Sequence, residues 1–492
     1  MEAIKNLGNL NVKVIKTISA DILITGGGPA GMMTGITAAQ FWPDKKVVVV
    51  RREFDAVIPC GIPYIFGTLH GTDEDMAGRL PLIAAGGELI IGNIIDIDRE
   101  SRTAYAEAIP ADLPFNAAAV HEENKNLKEV TEIKFDRLVL ATGGENFIPN
   151  IKGTHLNGVF TIQKDYNYLE ILFNDLIPKV KKLAIIGGGF IGVEFADEIR
   201  KLGIEVHIIE MLPNLLQVSF DKNVCEKVEA ILTSRGVKIH TNSQVQEILA
   251  DESGKNVKAL IIKDKDSIEA DAVLIAIGVR PNVALAQKMG LTLSRSGGVW
   301  VDAFQRTRED SRIFAVGDCA HKQDFFTRKA NHSMIASAAA AEGRIAGMNL
   351  FNLKISRHNA GSVSVYSSEI DGLAFGVAGL TESQAAAEGF NILIGESKLP
   401  DHHPASMPGT VEIYCRLIFS KDSLQLLGGQ ITGGATTGEL VNTIGLAIQM
   451  HATATDIATM QFGSQPRLTP SLHPMVAATG DALKNYIVSR KM

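Results

Sequence analysis

The sequence predicts an α/β protein with two similar parallel-sheet units and a closing segment of α+β character, and three observations carry that expectation. One strand, glycine turn, helix, strand pattern occurs twice. Short apolar strands ending in glycine join the two copies. Beyond about Leu350 the grammar changes to alternating strand-like segments and one long helical pattern. At 492 residues the chain has room for about three domains at roughly 150 residues each.

The first unit begins with Ala20-Asp21-Ile22-Leu23-Ile24-Thr25, a short buried strand. Gly26-Gly27-Gly28-Pro29-Ala30-Gly31 follows, then a helical run to Gln40, then Lys46 to Val50 as a second strand. The second unit repeats this: Lys182 to Ile186, then Gly187-Gly188-Gly189-Phe190-Ile191-Gly192, a helix to about Leu202, and the strand Glu205 to Ile209 before Glu210. In each loop the first glycine permits the tight turn, the second lets backbone approach a pyrophosphate, and the third packs helix against strand. The helix N-terminus then holds the phosphates with its free N–H groups. Two copies in full context predict two bound dinucleotides.

Phe135 to Gly144, Ala270 to Gly278 and Ile313 to Asp318 read as crossing strands, so the first unit is split with the second inserted into it. The expected boundaries are 20–151 with 283–350 for the first domain, 152–282 for the second and 351–492 for the third. Within the third, Val411 to Phe419 and Leu424 to Ile431 read as strands and Gly438 to Met450 as a helix.

Composition narrows the function. The chain is 46% apolar and 21% charged, with 46 Gly and 17 Pro, as in globular proteins. Its formal charge of -7 and the lack of a long Lys/Arg block argue against nucleic acid as a partner. Runs such as Val47 to Val50 fall far short of the roughly 18 apolar residues of a membrane span, and the first twenty residues carry no secretory pattern. A cytoplasmic location is expected. Cys60, Cys225, Cys319 and Cys415 form no C-x-x-C and no metal spacing, so no metal is expected and any redox role falls on one cysteine acting alone or with a cofactor. A lone cysteine is also commonly a small buried hydrophobe.

With these motifs in hand, the chain resembles the two-dinucleotide flavoprotein reductases of the pyridine nucleotide-disulfide oxidoreductase family. It is most similar to the single-cysteine branch: coenzyme A disulfide reductase, NADH oxidase, NADH peroxidase and NADH-dependent persulfide or polysulfide reductase. The carrying run is Ile58-Pro59-Cys60-Gly61-Ile62-Pro63-Tyr64-Ile65-Phe66-Gly67, similar to the Cys-Gly-Leu-Pro-Tyr segment of the coenzyme A disulfide reductases and without a second cysteine nearby.

The resemblance implies FAD on the first unit, a nicotinamide cofactor on the second and homodimerisation through the C-terminal domain. Gly26, Gly28 and Gly31, with Pro29 and Ala30 between them, would hold the FAD pyrophosphate. Thr142 and Gly143 would lie near the flavin nucleotide, and Gly317-Asp318 would present the aspartate that binds its ribityl chain. Gly187, Gly189, Ile191 and Gly192 would hold NADH. Glu210 would take its adenosine ribose and disfavour a 2′-phosphate. Phe190 matches an aromatic that shields the flavin, though helix-start packing fits it too. Glu194 matches an acid near flavin and nicotinamide, though a solvated helix-face glutamate fits the spacing equally. Gly278-Val279-Arg280-Pro281-Asn282 resembles the signature at the return to the FAD domain and reads as structural.

Three departures stand out. Arg51, followed by Arg52 and Glu53, occupies the place where the family sets an acid for the FAD ribose, so either Glu53 substitutes or Arg51 faces a phosphate. Pro29 stands where peroxidase and oxidase members often carry a histidine, which tilts away from peroxide reduction. Gln465 to Pro474 lies where dimeric relatives reach into the partner's site but lacks their tyrosines. His473 there is either a proton donor across the dimer or a structural histidine. No further module follows Met492, so a fused rhodanese-like domain is not expected.

The implied activity is NADH-dependent reduction, through flavin and Cys60, of a small disulfide, persulfide or polysulfide, such as a coenzyme A disulfide. The resemblance implies a Cys60 thiol acidified by flavin and a helix N-terminus. Reduction of oxygen or peroxide through a Cys60 sulfenic acid is the alternative. A flavoprotein electron-transfer subunit with an incidental Cys60 is a third reading.

Overall fold

The computed structural model describes residues 4–7, 10–109, 128–355 and 358–489. The strand Leu10–Thr25 forms the spine of an eight-stranded sheet, parallel to Val47–Arg51 on one side and Lys128–Leu140 on the other. Glu88–Ile91 adds outside Val47–Arg51, and Ile313–Ala315 returns beside the end of Lys128–Leu140. Ile22, Leu23 and Ile24 are fully buried, as the uninterrupted apolar run of a sheet covered on both faces requires. The helices Pro29–Phe41 and Ala336–Met348 pack together on one face.

The spine begins at Leu10, well before the expected Ala20. Lys13, Lys16 and Thr17 hide this extension in the sequence, but Val12 pairs beside Lys128 and Ile18 beside Ile133, so the two long strands continue together. Thr103–Glu107 and Asn93–Asp98 complete that end in antiparallel fashion.

The second sheet has five parallel strands in the order Val159–Phe160, Ala272–Ile275, Lys182–Ile186, Glu205–Ile209, Lys238–His240. Gly144–Asn146 runs antiparallel to Val279–Pro281 where the chain crosses between the two sheets. This pairing gives the Val279-Arg280-Pro281 run the structural part expected of it.

The third sheet has five antiparallel strands in the order Tyr366–Ile370, Leu373–Gly379, Leu426–Gly433, Glu412–Ser420, Ile392–Pro400. The helix Thr437–Gln449 packs on it through Val441 and Ile444, and Pro474–Ser489 through Met475 and Ala478. The two expected strands and the helix lie within two residues of their predicted bounds; the strands Tyr366–Ile370 and Ile392–Pro400 escaped notice because polar residues interrupt their alternation. One buried cluster joins Ile62 and Phe66 of the Cys60 segment, Val193 and Phe195 of the helix Phe190–Arg200, and Phe375 of the third sheet. That junction holds the Cys60 segment against the second and third sheets.

Candidate active site

A cleft of about 2760 Å³ runs between the sheets and is lined by both glycine loops. The loops are built alike. Gly26 and Gly187 have φ of 105° and 111°, and a Cβ on either would sit 2.2 and 2.5 Å from a carbonyl oxygen, of Ala141 and Ala276. Gly31 and Gly192 face inward, where a Cβ would come within 1.9 and 2.0 Å of the Gly26 and Gly187 carbonyl oxygens. By contrast, a Cβ on Gly28, Gly143, Gly189 or Gly278 would meet no protein atom within 4 Å. These faces open on the cleft, beside the N-termini of Pro29–Phe41 and Phe190–Arg200. Pro29 sits at the first helical position, where its missing N–H costs nothing, while Ala30 is buried and Ile191 reaches the cleft. The residues present thus fit an extended dinucleotide at each loop.

At the strand ends the two units differ. Glu210 accepts from the Gly188 N–H at 2.6 Å and the Leu212 N–H at 2.8 Å, so its carboxylate braces the second loop. Arg51 cannot accept. Its buried side chain lies beneath Gly27, and its guanidinium donates to the carbonyls of Glu53, at 2.7 Å, and Phe54. The guanidinium is thus already engaged by two backbone carbonyls, although Arg51 also lines the cleft. Glu53 and Arg52 both line the cleft, 3.8 Å apart.

Thr142 donates to the Asn282 carbonyl at 2.7 Å and Gly143 accepts from the Asn282 N–H at 2.9 Å, which ties the crossing strands at the cleft floor. Gly317 (φ 72°) turns the chain so that Asp318 lines the cleft, 3.5 Å from Lys164 Nζ. A buried ion pair secures the turn. Glu342 accepts from the Gly317 N–H at 2.9 Å and from Lys322 at 2.8 Å, and Lys322 also donates to the Gly317 carbonyl. Sequence reading passed over Lys164, Lys322 and Glu342, which lie in no recognisable motif and meet the site only through the fold.

Cys60 is exposed to the cleft, whereas Cys225, Cys319 and Cys415 are buried. It is not the small buried hydrophobe that a lone cysteine often is. The expected acidification is not found in the protein's own groups: the thiol is pushed up, first by the walls that withdraw water and then by the Glu194 charge, with Lys164 pulling the other way. No long helix starts at Cys60 to offset this; it sits in a turn before the five-residue helical segment Ile65–Leu69.

Glu194 is not solvated. Ser368 of the third sheet donates to it at 2.6 Å, and burial, aided by Glu198, pushes its carboxyl from 4.5 up to about 7. One turn earlier, the Phe190 ring packs edge-on against Tyr366 at 4.1 Å while also lining the cleft. Because Glu194 holds its proton more tightly folded than unfolded, stability is full below about pH 4.5 and is lost as pH rises through about 7. Glu194→Gln is therefore expected to gain on the wild type between pH 5 and pH 8, by as much as about 3 kcal/mol. Denaturation midpoints at the two pH values check this, and parallel losses in both proteins would contradict it.

His473 does not line the cleft of its own chain. Its ring stacks on Phe462 with centroids 3.7 Å apart, it accepts from the Met475 N–H, and burial pushes its pKa down to about 4. Those contacts all lie within its own chain. Among the described residues there is no cluster suited to a metal and no helix long and apolar enough to cross a membrane.

Residues 20–343 match the family model described as pyridine nucleotide-disulphide oxidoreductase, and residues 370–476 match its dimerisation domain. An NADH oxidase of Methanocaldococcus jannaschii is 30% identical over 465 residues, covering 94% of this chain and 98% of that one. An NAD(P)H coenzyme A polysulfide/persulfide reductase of Pyrococcus horikoshii is 27% identical, covering 92% and 96%. The solved NAD-dependent persulfide reductase from A. fulgidus superposes with a TM-score of 0.83 at 25% identity, covering 96% of this chain and 84% of that one. The water-forming NADH oxidase from Lactobacillus brevis gives 0.82 at 22%, covering 96% and 100%, a likeness of fold. Two glycine loops facing one cleft, an aspartate turn and a single open cysteine agree with these matches over nearly the whole chain: it belongs to the pyridine nucleotide-disulphide oxidoreductase family, whose members use FAD and NADH.

Proposed function

We propose that the chain reduces small sulfur–sulfur compounds with NADH, and that Cys60 is its sulfur nucleophile. The observation that carries this is that Cys60, alone of four cysteines, opens into the cleft that both glycine loops line. The substrate class is a disulfide, persulfide or polysulfide, coenzyme A derivatives included, as the name of the Pyrococcus horikoshii relative suggests.

On this reading Gly26, Gly28, Gly31, Thr142, Gly143 and Asp318 hold FAD, with Glu53 rather than Arg51 beside its ribose. Gly187, Gly189, Gly192 and Glu210 hold NADH. Bound FAD supplies acceptance of a hydride and return of two electrons to sulfur. The protein does the rest. Cys60 attacks as thiolate and forms a mixed disulfide, Lys164 offsets its charge, and Glu194, titrating near neutrality, supplies or takes a proton in the cleft. Phe190 yields its packing on Tyr366 when the nicotinamide enters. The match of residues 370–476 to a dimerisation domain supports a homodimer, and four free thiols suit a reducing compartment such as the cytoplasm.

Oxygen or peroxide as acceptor is the second reading, supported by the 30% identity to an NADH oxidase. Anaerobic NADH turnover against coenzyme A disulfide, polysulfide, glutathione persulfide and peroxide, with oxygen tested separately, decides between the two. At least one sulfur acceptor is expected to react at least tenfold faster than oxygen or peroxide. Turnover with oxygen or peroxide and none with sulfur acceptors would overturn the proposal.

A further inference from the structure

Tyr366 and Ser368 fall between the stretches matched by the two family models, the first ending at residue 343 and the second starting at 370. They belong to the edge strand Tyr366–Ile370 of the third sheet. Both are half-buried while Ser367 and Glu369 are exposed, so the two side chains point the same way. They meet the helix Phe190–Arg200, whose residues 190 and 194, four apart, also share one side.

The two spacings match. Two residues of strand advance about 6.7 Å and four of helix about 6 Å, so each strand side chain finds one on the helix. Tyr366 stands edge-on to the Phe190 ring with centroids 4.1 Å apart, and the Ser368 hydroxyl donates to Glu194 at 2.6 Å. Phe375, cross-strand from Ser368, and Phe220 complete the packing around Phe190 at 6.5 and 5.8 Å. The far end is pinned as well. Asp371, in the turn after the strand, accepts from Arg200, the last residue of the helix, at 3.1 Å and from Arg235 at 2.6 Å. Among the described residues Ser368 is the only hydrogen-bond donor to the Glu194 side chain.

We propose that this edge strand positions the nicotinamide site from outside both nucleotide domains, Ser368 by holding the Glu194 carboxylate and Tyr366 by setting the pose of the Phe190 ring. This deepens the proposed function and rests on it for NADH at the second glycine loop, but not for the acceptor. Burial and the Glu198 charge favour a protonated Glu194, and the Ser368 hydroxyl, which bonds better to the ionised form, is the one contact that opposes them. Glu198 is itself paired with Lys201 and Thr68, and Cys60 and Tyr64 are the other titratable groups that face Glu194. Tyr366 acts by packing, because an edge-on aromatic pair is favourable and is given up whenever Phe190 moves aside. Both are positioning residues that act through the helix.

The test uses the holoenzyme and two readouts that need no electron acceptor. Infrared titration follows the protonated Glu194 carboxyl, its band assigned by loss in Glu194→Gln. The wild-type midpoint is expected near pH 7. Ser368→Ala should titrate about one pH unit higher, and Ser368→Thr, which keeps the hydroxyl, close to wild type. Titration of the flavin absorbance with NAD⁺ follows the nicotinamide. Tyr366→Leu is expected to bind NAD⁺ severalfold more tightly, since Phe190 no longer leaves an aromatic partner, and to add nothing once Phe190→Ala is present. ADP-ribose, which lacks the nicotinamide, should bind wild type and Tyr366→Leu alike. An unmoved midpoint in Ser368→Ala would overturn the proposal, as would an equal effect of Tyr366→Leu with and without the Phe190 ring or an equal gain for ADP-ribose. Should Tyr366→Leu fail to fold, the Ser368 titration decides. A protein that fails to reduce sulfur compounds would sink the proposed function and leave both readouts standing.

Discussion

Cys60→Ser is expected to keep its FAD and to be reduced by NADH at close to the wild-type rate, yet to lose turnover with sulfur acceptors at least about a thousandfold. That loss is about 4 kcal/mol of barrier, which a serine hydroxyl cannot supply because it is not ionised near neutral pH and forms no disulfide. The separation of the two half-reactions is the informative part. Rapid-mixing absorbance measures the first, and thiol release under anaerobic turnover measures the second. Serine at 225, 319 or 415 should leave sulfur turnover within a few-fold of wild type. Those thiols are buried, and burial pushes Cys225 and Cys415 up to about 12. A Cys60→Ser protein that still reduced disulfides would move the chemistry elsewhere in the cleft.

The second large effect is expected from one methyl group in each glycine loop. A Cβ at Gly31 would collide with the Gly26 carbonyl oxygen at 1.9 Å, and one at Gly192 with that of Gly187 at 2.0 Å. Both contacts are to backbone, so the loop rather than a side chain must move, at about 3 kcal/mol or more, roughly a hundredfold in affinity. Gly31→Ala should therefore purify largely without flavin. Gly192→Ala should stay yellow but bind NADH about a hundredfold more weakly. Flavin content per chain and NADH titration of the absorbance spectrum measure the two effects. Equal loss of flavin in both variants would contradict the assignment of one cofactor to each loop.

The reach of the sequence can be judged residue by residue. Gly26, Gly31, Gly187 and Gly192 were legible because backbone sterics admit no other residue at those contacts, and such constraints are local. Cys60 was legible through its neighbours Gly61 to Tyr64. Its electrostatics were not. Glu194, Lys164 and Asp75 come from separate segments of the chain, and only the fold brings their charges to bear on the thiol. Arg51 shows the same limit from the other side. Its position at a strand end was evident, but whether it faced a phosphate or turned beneath Gly27 depended on carbonyls of the following loop. The buried pair Lys322 and Glu342 gave no signal because its partners lie on the aspartate loop and on the helix Ala336–Met348. The long spine strand from Leu10 was obscured by lysines that face outward at the sheet's end.

Sulfur reduction by this protein requires Cys60 to exchange electrons with FAD, and counting electrons tests this most directly. Wild-type and Cys60→Ser proteins are exposed to excess polysulfide, freed of it by gel filtration, and titrated anaerobically with NADH. The wild type is expected to consume two electrons more per chain than its flavin alone requires, and Cys60→Ser only the flavin's own. Equal consumption by the two proteins would contradict the account.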